Sequence, residues 1–334
     1  ERRERMPYVK IGESRKIPFK LYYETLGDED ATEKVLLIMG FRCNMFAWDR
    51  QILFFKNHPE YHVCIFDNRG CGKSADEGKY STTILAQDAL ELARDHLGWS
   101  AVHLVGQSMG GMIAQELVLR HPTFIKSLVL GSTHAGGWRG LVPLAGFKKM
   151  YAVVSKKTVS DKVKSILNMT YSQSFLTGSH LLNTTSTSTS TSSSSDVDDN
   201  DSDATIAHTC NEDVMVQRYK LREKHTPKQS MRGVWGHVKC VATHYVSNRR
   251  LRKIGKLNIP KLIIHGTDDQ LIGHNNAQLI HKQIGGKLMI FEGCGHCANG
   301  EMEHSYNAAI LQNMRSADNF IDKLARTNND FVFL

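Results

Sequence analysis

No uninterrupted apolar run in these 334 residues approaches the ~20 residues needed to cross a bilayer, so no membrane-spanning segment is expected and the chain should be soluble. The Gly-x-x-x-x-Gly-Lys-Ser/Thr spacing of a phosphate loop is also missing. The glycines of Asp67-Asn-Arg-Gly-Cys-Gly-Lys-Ser74 fall at other intervals and no helical pattern starts on them, so the stretch reads as an ordered turn. No basic stretch is interleaved with aromatics. The formal net charge is +8, but the densest basic run, Arg249, Arg250, Arg252 and Lys253, precedes a strand and reads as a solvated helix face. Nucleic-acid binding is set aside, and steering of anionic substrates stays open. His265, His274, His281 and His304 crowd one region without a ligand spacing, so no metal and no other cofactor is expected. Seven cysteines, an odd number and scattered, in a chain that needs no staples, suggest free thiols in a reducing, cytoplasmic setting. A targeting segment upstream of Glu1 is left open.

With 41% hydrophobic and 23% charged residues, the composition is that of an ordinary globular protein. Its organising stretch is Ala101 to Leu119. Val102, Leu104 and Val105 suit a buried strand, and Met112, Ile113 and Leu117 repeat at helical spacing, with Gly106-Gln-Ser-Met-Gly110 between them. A backbone that reverses this sharply leaves no room for bulky side chains two places from its apex, which Gly106 and Gly110 satisfy. Ser108 is thereby placed above a sheet edge at a helix N-terminus, where free N–H groups favour developing negative charge.

The rest of the chain alternates strand and helix around this point. Pro7 to Glu24 reads as an antiparallel hairpin, and Val35 to Met39 and His62 to Phe66 as buried strands. Ser81 or Thr82 can cap a helix that ends before Gly98, and Ile125 to Leu130 is a further strand. The alternation resumes with Lys261 to Gly266, a helix near Ala277 to Ile284, Lys287 to Phe291 and a long helix around Ala308 to Leu324. From about Trp138 to Lys256 only helical fragments occur, such as Val163 to Met169 and Val214 to Arg222. The expected organisation is thus a first core part over 1–137, an inserted helical cap over 138–256 and a second core part over 257–334. Within the cap, a Ser/Thr repeat running into an acidic tract at about 183–203 cannot bury enough apolar surface to order itself.

A serine hydroxyl needs a base, normally histidine, and the histidine needs a carboxylate to fix its tautomer. Two loops after late strands qualify: Gly266-Thr-Asp-Asp-Gln270 and Glu292-Gly-Cys-Gly-His-Cys297. Cys294-Gly-His-Cys297 also spells a dithiol motif, but it follows a late strand instead of opening a helix early in a domain, which argues against redox catalysis. A disulfide between these cysteines would distort the His296 loop, and unchanged activity under diamide would exclude such a switch.

Taken in order, Gly40-Phe41, Asp67 to Ser74, Gly106 to Gly111, Gly266-Thr-Asp-Asp269 and Gly295-His296 resemble the motifs of the α/β-hydrolase-fold serine hydrolases, over nearly the whole chain outside the cap. The likeness is to the esterase, lipase and cofactor-free haloperoxidase-like branch; epoxide hydrolases and dehalogenases carry Asp where this chain has Ser108. It implies an α/β fold, with a mostly parallel central sheet, helices on both faces and an inserted helical cap. It also implies Ser108 as nucleophile, His296 as general base and then acid, and Asp269 as orienting carboxylate, with Asp268 as the rival. The backbone N–H groups of Phe41 and Met109 would form the oxyanion hole. Met45, Phe46 and Trp48, beside Gly40, are expected in the acyl-pocket wall. The chain departs from the common pattern in having Met39 where many relatives have histidine before the glycine, so an apolar residue replaces a polar support of the oxyanion loop. The activity implied is hydrolysis of a small or lipid-like ester. A ligand-binding protein with slow turnover, or acyl transfer, thioester or amide cleavage at the same residues, stays open as an alternative.

Overall fold

In the computed structural model, which describes residues 7–137, 155–178 and 210–329, the continuous apolar runs become the interior of one eight-stranded sheet. Trp138 and the tract at 183–203 lie outside the described residues. The strands are β1 (Tyr8–Ile11), β2 (Phe19–Leu26), β3 (Glu33–Ile38), β4 (Tyr61–Phe66), β5 (Val102–Gln107), β6 (Ile125–Gly131), β7 (Lys261–Gly266) and β8 (Lys287–Phe291). Their order across the sheet is β1-β2-β4-β3-β5-β6-β7-β8. The hairpin β1-β2 and the β2-β4 pair are antiparallel, and every pair from β4 to β8 is parallel. Parallel strands need crossovers that cover both faces, which is why β4, β5 and β7 are buried at every position and read as mostly apolar runs.

Strand periodicity divides these runs between two cores. Leu36, Ile38, Leu104, Leu128, Leu130 and Ile263 point to one face. Their neighbours Val35, Leu37, Val105, Val129, Leu262 and Ile264 point to the other. The first face is covered by α2 (Thr82–Leu90) and α3 (Met109–Arg120), through Leu85, Ala89, Met112 and Leu117 among others. The second is covered by α1 (Asp49–Phe55) and, near the chain's end, a long helix over Glu303–Asn329, through Phe55, Tyr306, Ile310 and Met314. Each fully buried Leu, Ile or Phe of this kind contributes about 1.5–3 kcal/mol. Ser81 caps α2 by accepting the N–H of Ile84 (3.1 Å), and beyond Leu90 the helix widens into a π-type turn over Glu91–His96.

Between β6 and β7 the described residues form helices: α4 (Val159–Thr170), α5 (Gln173–Thr177), α6 (Asn211–His225), α7 (Met231–Thr243) and α8 (Asn248–Gly255). Val163, Leu167, Leu176 and Val216 give α4, α5 and α6 a small core of their own. Helix α8 instead sinks Leu251 and Ile254 into the main core, and Arg250 forms two hydrogen bonds to Glu116 of α3 (2.9 and 2.7 Å). Arg249, Arg252 and Lys253 of the basic run face solvent. After β7 come α9 (Asn275–Ile284), then β8, the short α10 (Ala298–Glu301) and the long Glu303–Asn329 helix, α11. No helix among the described residues is long and apolar enough to cross a membrane.

Strand β3 lies between β4 and β5, so the chain leaves it in one direction and returns on its other side. At such a switch point the loops after two parallel neighbours diverge and open a crevice at the strands' carboxyl ends. The loops concerned are those that begin at Gly40 and at Ser108.

Candidate active site

Ser108 stands between β5 and α3 at φ 58° and ψ −121°, a conformation that a residue with a Cβ adopts only under constraint and at a cost of about 1–3 kcal/mol. The surroundings enforce it. The N–H of Ser108 donates to Gly131 O (2.8 Å), its carbonyl accepts from Thr133 Oγ1 (2.8 Å) and from the N–H of Gly111 (2.9 Å). A Cβ on Gly106 would sit 2.4 Å from Gly110 O, and one on Gly110 would sit 2.0 Å from Ile38 O. The Gly-x-Ser-x-Gly spacing is therefore a packing requirement of this turn.

The Ser108 hydroxyl, half-buried, lies 2.9 Å from His296 Nε2. His296 Nδ1 lies 2.7 Å from Asp269 Oδ2. Asp269 is buried in the loop after β7, and its other oxygen, Oδ1, accepts the N–H groups of Leu271 and Ile272 (2.9 Å each). Burial alone would raise the Asp269 carboxyl. The facing charge of His296 and the hydrogen bonds from His265 and His296 outweigh it and hold the group well below the usual carboxylate range. Asp268 is exposed and takes a hydrogen bond from Thr267 Oγ1 (3.1 Å), so of the two adjacent carboxylates it is Asp269 that reaches the histidine.

Two side chains that the sequence reading passed over join this chain of bonds. His265, at the end of β7 and fully buried, donates from Nε2 to Asp269 Oδ2 (3.0 Å) and to Ile272 O (2.8 Å). It was grouped above with His274, His281 and His304 as a bystander. The signal that sets it apart is its place inside a strand, four residues before the acid. Gln107, the residue before Ser108, donates from Nε2 to the carbonyl of His296 (2.9 Å) and accepts from the Tyr306 hydroxyl (3.2 Å). A polar residue closing a mostly apolar strand was its trace in the sequence. Behind the acid, burial and the neighbouring His265 and His296 push His134 down to about 4.

The His296 loop is tied down further. The N–H of Gly295 donates to Glu301 Oε2 (3.1 Å), and the N–H of Cys297 donates to Thr170 O at the end of α4 (2.9 Å). Cys294 and Cys297 are free thiols, and burial pushes the Cys294 thiol far up, so it is a poor nucleophile.

Gly40 packs directly on Ser108, since a Cβ there would lie 2.8 Å from Ser108 Cβ and 3.3 Å from Oγ. Phe41 is the next residue in the chain. Met109 opens α3, where first-turn N–H groups have no acceptor within the helix. The three expected wall residues separate. Met45 and Trp48 have no exposed surface and belong to the core beside Leu37 and Phe55, whereas Phe46 is half-buried at its edge. The reason is geometric: Met45–Trp48 is a 3₁₀ turn, in which residues three apart share a face, and here that face is the inner one. Met45 and Trp48 are thus core residues, which corrects the expectation. Among the described residues no cluster of three His, Cys, Asp or Glu side chains is placed to hold a metal ion.

Comparison with known proteins agrees with this architecture. The chain is 25% identical over 305 residues to a proline iminopeptidase of Lactobacillus helveticus, covering 89% of this chain and 95% of that protein. Among solved structures it resembles a thermophilic esterase from Thermogutta terrifontis (TM-score 0.66, 20% identity, 93% and 99% of the two chains). It also resembles a bromoperoxidase from Bacillus anthracis (TM-score 0.66, 19% identity, 92% and 99%). Residues 35–301 match the alpha/beta hydrolase fold family as a whole, from β3 to the end of α10, and the chain belongs to that family.

Proposed function

We propose that the protein is a serine hydrolase that cleaves an uncharged or lipid-like ester through an acyl-Ser108 intermediate. The observation that carries this reading is the unbroken series Ser108 Oγ, His296 Nε2, His296 Nδ1, Asp269 Oδ2, with contacts of 2.9 and 2.7 Å. In the first half-reaction Ser108 attacks the ester carbonyl while its proton passes to His296 Nε2. Asp269, held ionised, stabilises the imidazolium and keeps the Nδ1–H directed at itself. The oxyanion would be met by the N–H groups of Phe41 and Met109. His296 then protonates the departing alkoxide, and the alcohol leaves. In the second half-reaction His296 takes a proton from water, the hydroxide adds to the acyl carbon, and the acid is released with the proton returned to Ser108.

A second reading, amide cleavage by the same residues, is favoured by the similarity to the Lactobacillus helveticus proline iminopeptidase over most of both chains. The two diverge in leaving group, not in nucleophile.

The test is labelling with a fluorophosphonate probe, intact protein against Ser108→Ala, followed by p-nitrophenyl esters of rising acyl length and by prolyl p-nitroanilide. Labelling that disappears in Ser108→Ala, with ester turnover well above anilide turnover, is the expected result. Anilide preferred over every ester would transfer the proposal to the second reading. No labelling of well-folded protein would overturn both in favour of a binding protein.

A further inference from the structure

Resting on the reading of Phe41 N–H as an oxyanion donor, we infer that His237 of helix α7 is a positioning residue for the oxyanion loop, standing in for the polar support that Met39 cannot give. The loop from Gly40 to Asn44 is anchored at its two ends from one side. Asn68 Nδ2 donates to Met39 O (2.8 Å), and the N–H of Met45 donates to Asp67 Oδ1 (2.8 Å). Between these anchors the backbone has to place one N–H group, that of Phe41, beside Ser108. It does so while Arg42 is held at φ +55°, a left-handed conformation that an arginine does not adopt without help.

The help comes from 195 residues further along the chain. The N–H of Arg42 donates to His237 Nδ1 (3.2 Å), and the proton on His237 Nε2 is donated to Arg69 O (2.8 Å). These two bonds fix the tautomer and use both ring nitrogens. The peptide planes at Phe41 and Arg42 share the Phe41 Cα, so holding the second plane leaves the Phe41 N–H little freedom beyond one φ/ψ pair. Two side-chain bonds reinforce the same contact, from Arg42 Nε to Gln229 Oε1 (3.2 Å) and from Asn44 Nδ2 to Thr226 Oγ1 (3.1 Å).

His237 can act as a fixed point because α7 is seated without slack. A Cβ on Gly233 would lie 2.3 Å from Gly70 O, and one on Gly236 would lie 2.4 Å from the Tyr80 ring. His237 itself is fully buried, with its ring 6.1 Å from that of Phe41 and 6.3 Å from that of Tyr80. Burial therefore keeps the imidazole neutral, and a neutral ring with its proton on Nε2 is the form that can accept at Nδ1. Helix α7 thus sets the geometry of one of the two proposed oxyanion donors.

The two ring contacts can be removed separately. In His237→Asn the side-chain oxygen falls near the place of Nδ1 and keeps an acceptor for Arg42. In His237→Gln the amide reaches the place of Nε2 and keeps the bond to Arg69 while losing that acceptor. The measurement is kcat and KM on p-nitrophenyl acetate, with the rate of fluorophosphonate labelling, for the full chain. Displacing one oxyanion donor without deleting it is expected to lower kcat and the labelling rate of His237→Gln by about 10–100-fold, with KM within about twofold. His237→Asn should stay within about threefold of the unmodified protein on all three. If His237→Gln keeps its kcat, or if the two variants fall together, the inference is overturned. Should His237→Gln be recovered only as aggregate, His237→Phe against His237→Asn gives the same comparison. Ser108→Ala, run alongside, separates the two levels: activity that survives it overturns the reading of the site itself and this inference with it, whereas activity lost in Ser108→Ala but unchanged in His237→Gln overturns this inference alone.

Discussion

Replacing Asp269 by asparagine is the sharpest probe of the site, because the structure specifies what every donor around that carboxylate would meet. Oδ1 accepts from two N–H groups, those of Leu271 and Ile272, and the asparagine carbonyl can take over that role. The amide nitrogen then replaces Oδ2, where it faces His296 Nδ1 and His265 Nε2. Three N–H donors cannot point at one another, so the imidazole of His296 gives way by moving its proton from Nδ1 to Nε2. An N–H at Nε2, 2.9 Å from Ser108 Oγ, cannot receive the serine proton. The expected loss in kcat is about 10⁴-fold, equivalent to about 5.5 kcal/mol of transition-state stabilisation at 1.36 kcal/mol per decade. The assay is steady-state p-nitrophenyl ester hydrolysis, with thermal unfolding as the check that the loop survives. Asp268→Asn is the control; its carboxylate is exposed and takes a hydrogen bond from Thr267, so its kcat should stay within about twofold of the unmodified protein. A folded Asp269→Asn protein that kept more than about a tenth of its activity, or a larger loss in Asp268→Asn, would refute the assignment of the acid.

Two further outcomes follow from bonds outside that series. Gln107→Leu deletes the donor to His296 O and the acceptor of the Tyr306 hydroxyl, which should cost about 1–3 kcal/mol in urea unfolding and lower kcat more than it changes KM; an unchanged kcat would mean the His296 loop holds itself. At the opposite end of the strands, hydrogen bonding to His103, with Lys126 adding, pulls Glu33 down to about 2, against the cost of its partial burial. A carboxylate whose folded value lies below its unfolded one stabilises the fold above pH ~4.3 and loses that contribution as pH falls toward 2, so Glu33→Gln should be less stable at pH 7 by on the order of 2 kcal/mol and lose that difference in acid. A stability gap that did not close between pH 5 and pH 2 would show that Glu33 acts by packing.

What the sequence disclosed and what it withheld have physical causes. Strands buried on both faces are predominantly apolar, so β3 to β7 were legible as runs, and the turn at Ser108 was legible because steric contact leaves glycine as the only choice at 106 and 110. The loops that carry Asp269 and His296 were legible because strand ends deliver them to one edge in chain order, while the choice between Asp268 and Asp269 rested on the family resemblance. The failures concern direction. Whether Met45 and Trp48 face a pocket or the core depends on the phase of a single 3₁₀ turn, and the four residues Met-Phe-Ala-Trp carry no record of that phase. His237 was invisible for a different reason: it acts through a partner brought to it by folding, and a histidine among sixteen has no local mark of that partner, whereas His265 had only its place inside a strand to set it apart.

The same contrast suggests how the site works as a built object. The groups proposed to act on the substrate sit on loops whose main chain is held by a side chain from elsewhere: Thr133 on Ser108 O, Gln107 on His296 O, and His237 on the N–H of Arg42. Each of these is buried or half-buried, so each bond is made in a medium where breaking it costs more than in water. Electrostatic catalysis requires donors that do not reorganise when charge develops. Backbone donors such as the N–H groups of Phe41 and Met109 cannot be improved by changing their own side chains, and can be tuned only through what grips the neighbouring peptides. On this argument the helices between β6 and β7 act on the site from outside the sheet, through a residue such as His237 that would set how well the proposed donors stabilise an oxyanion.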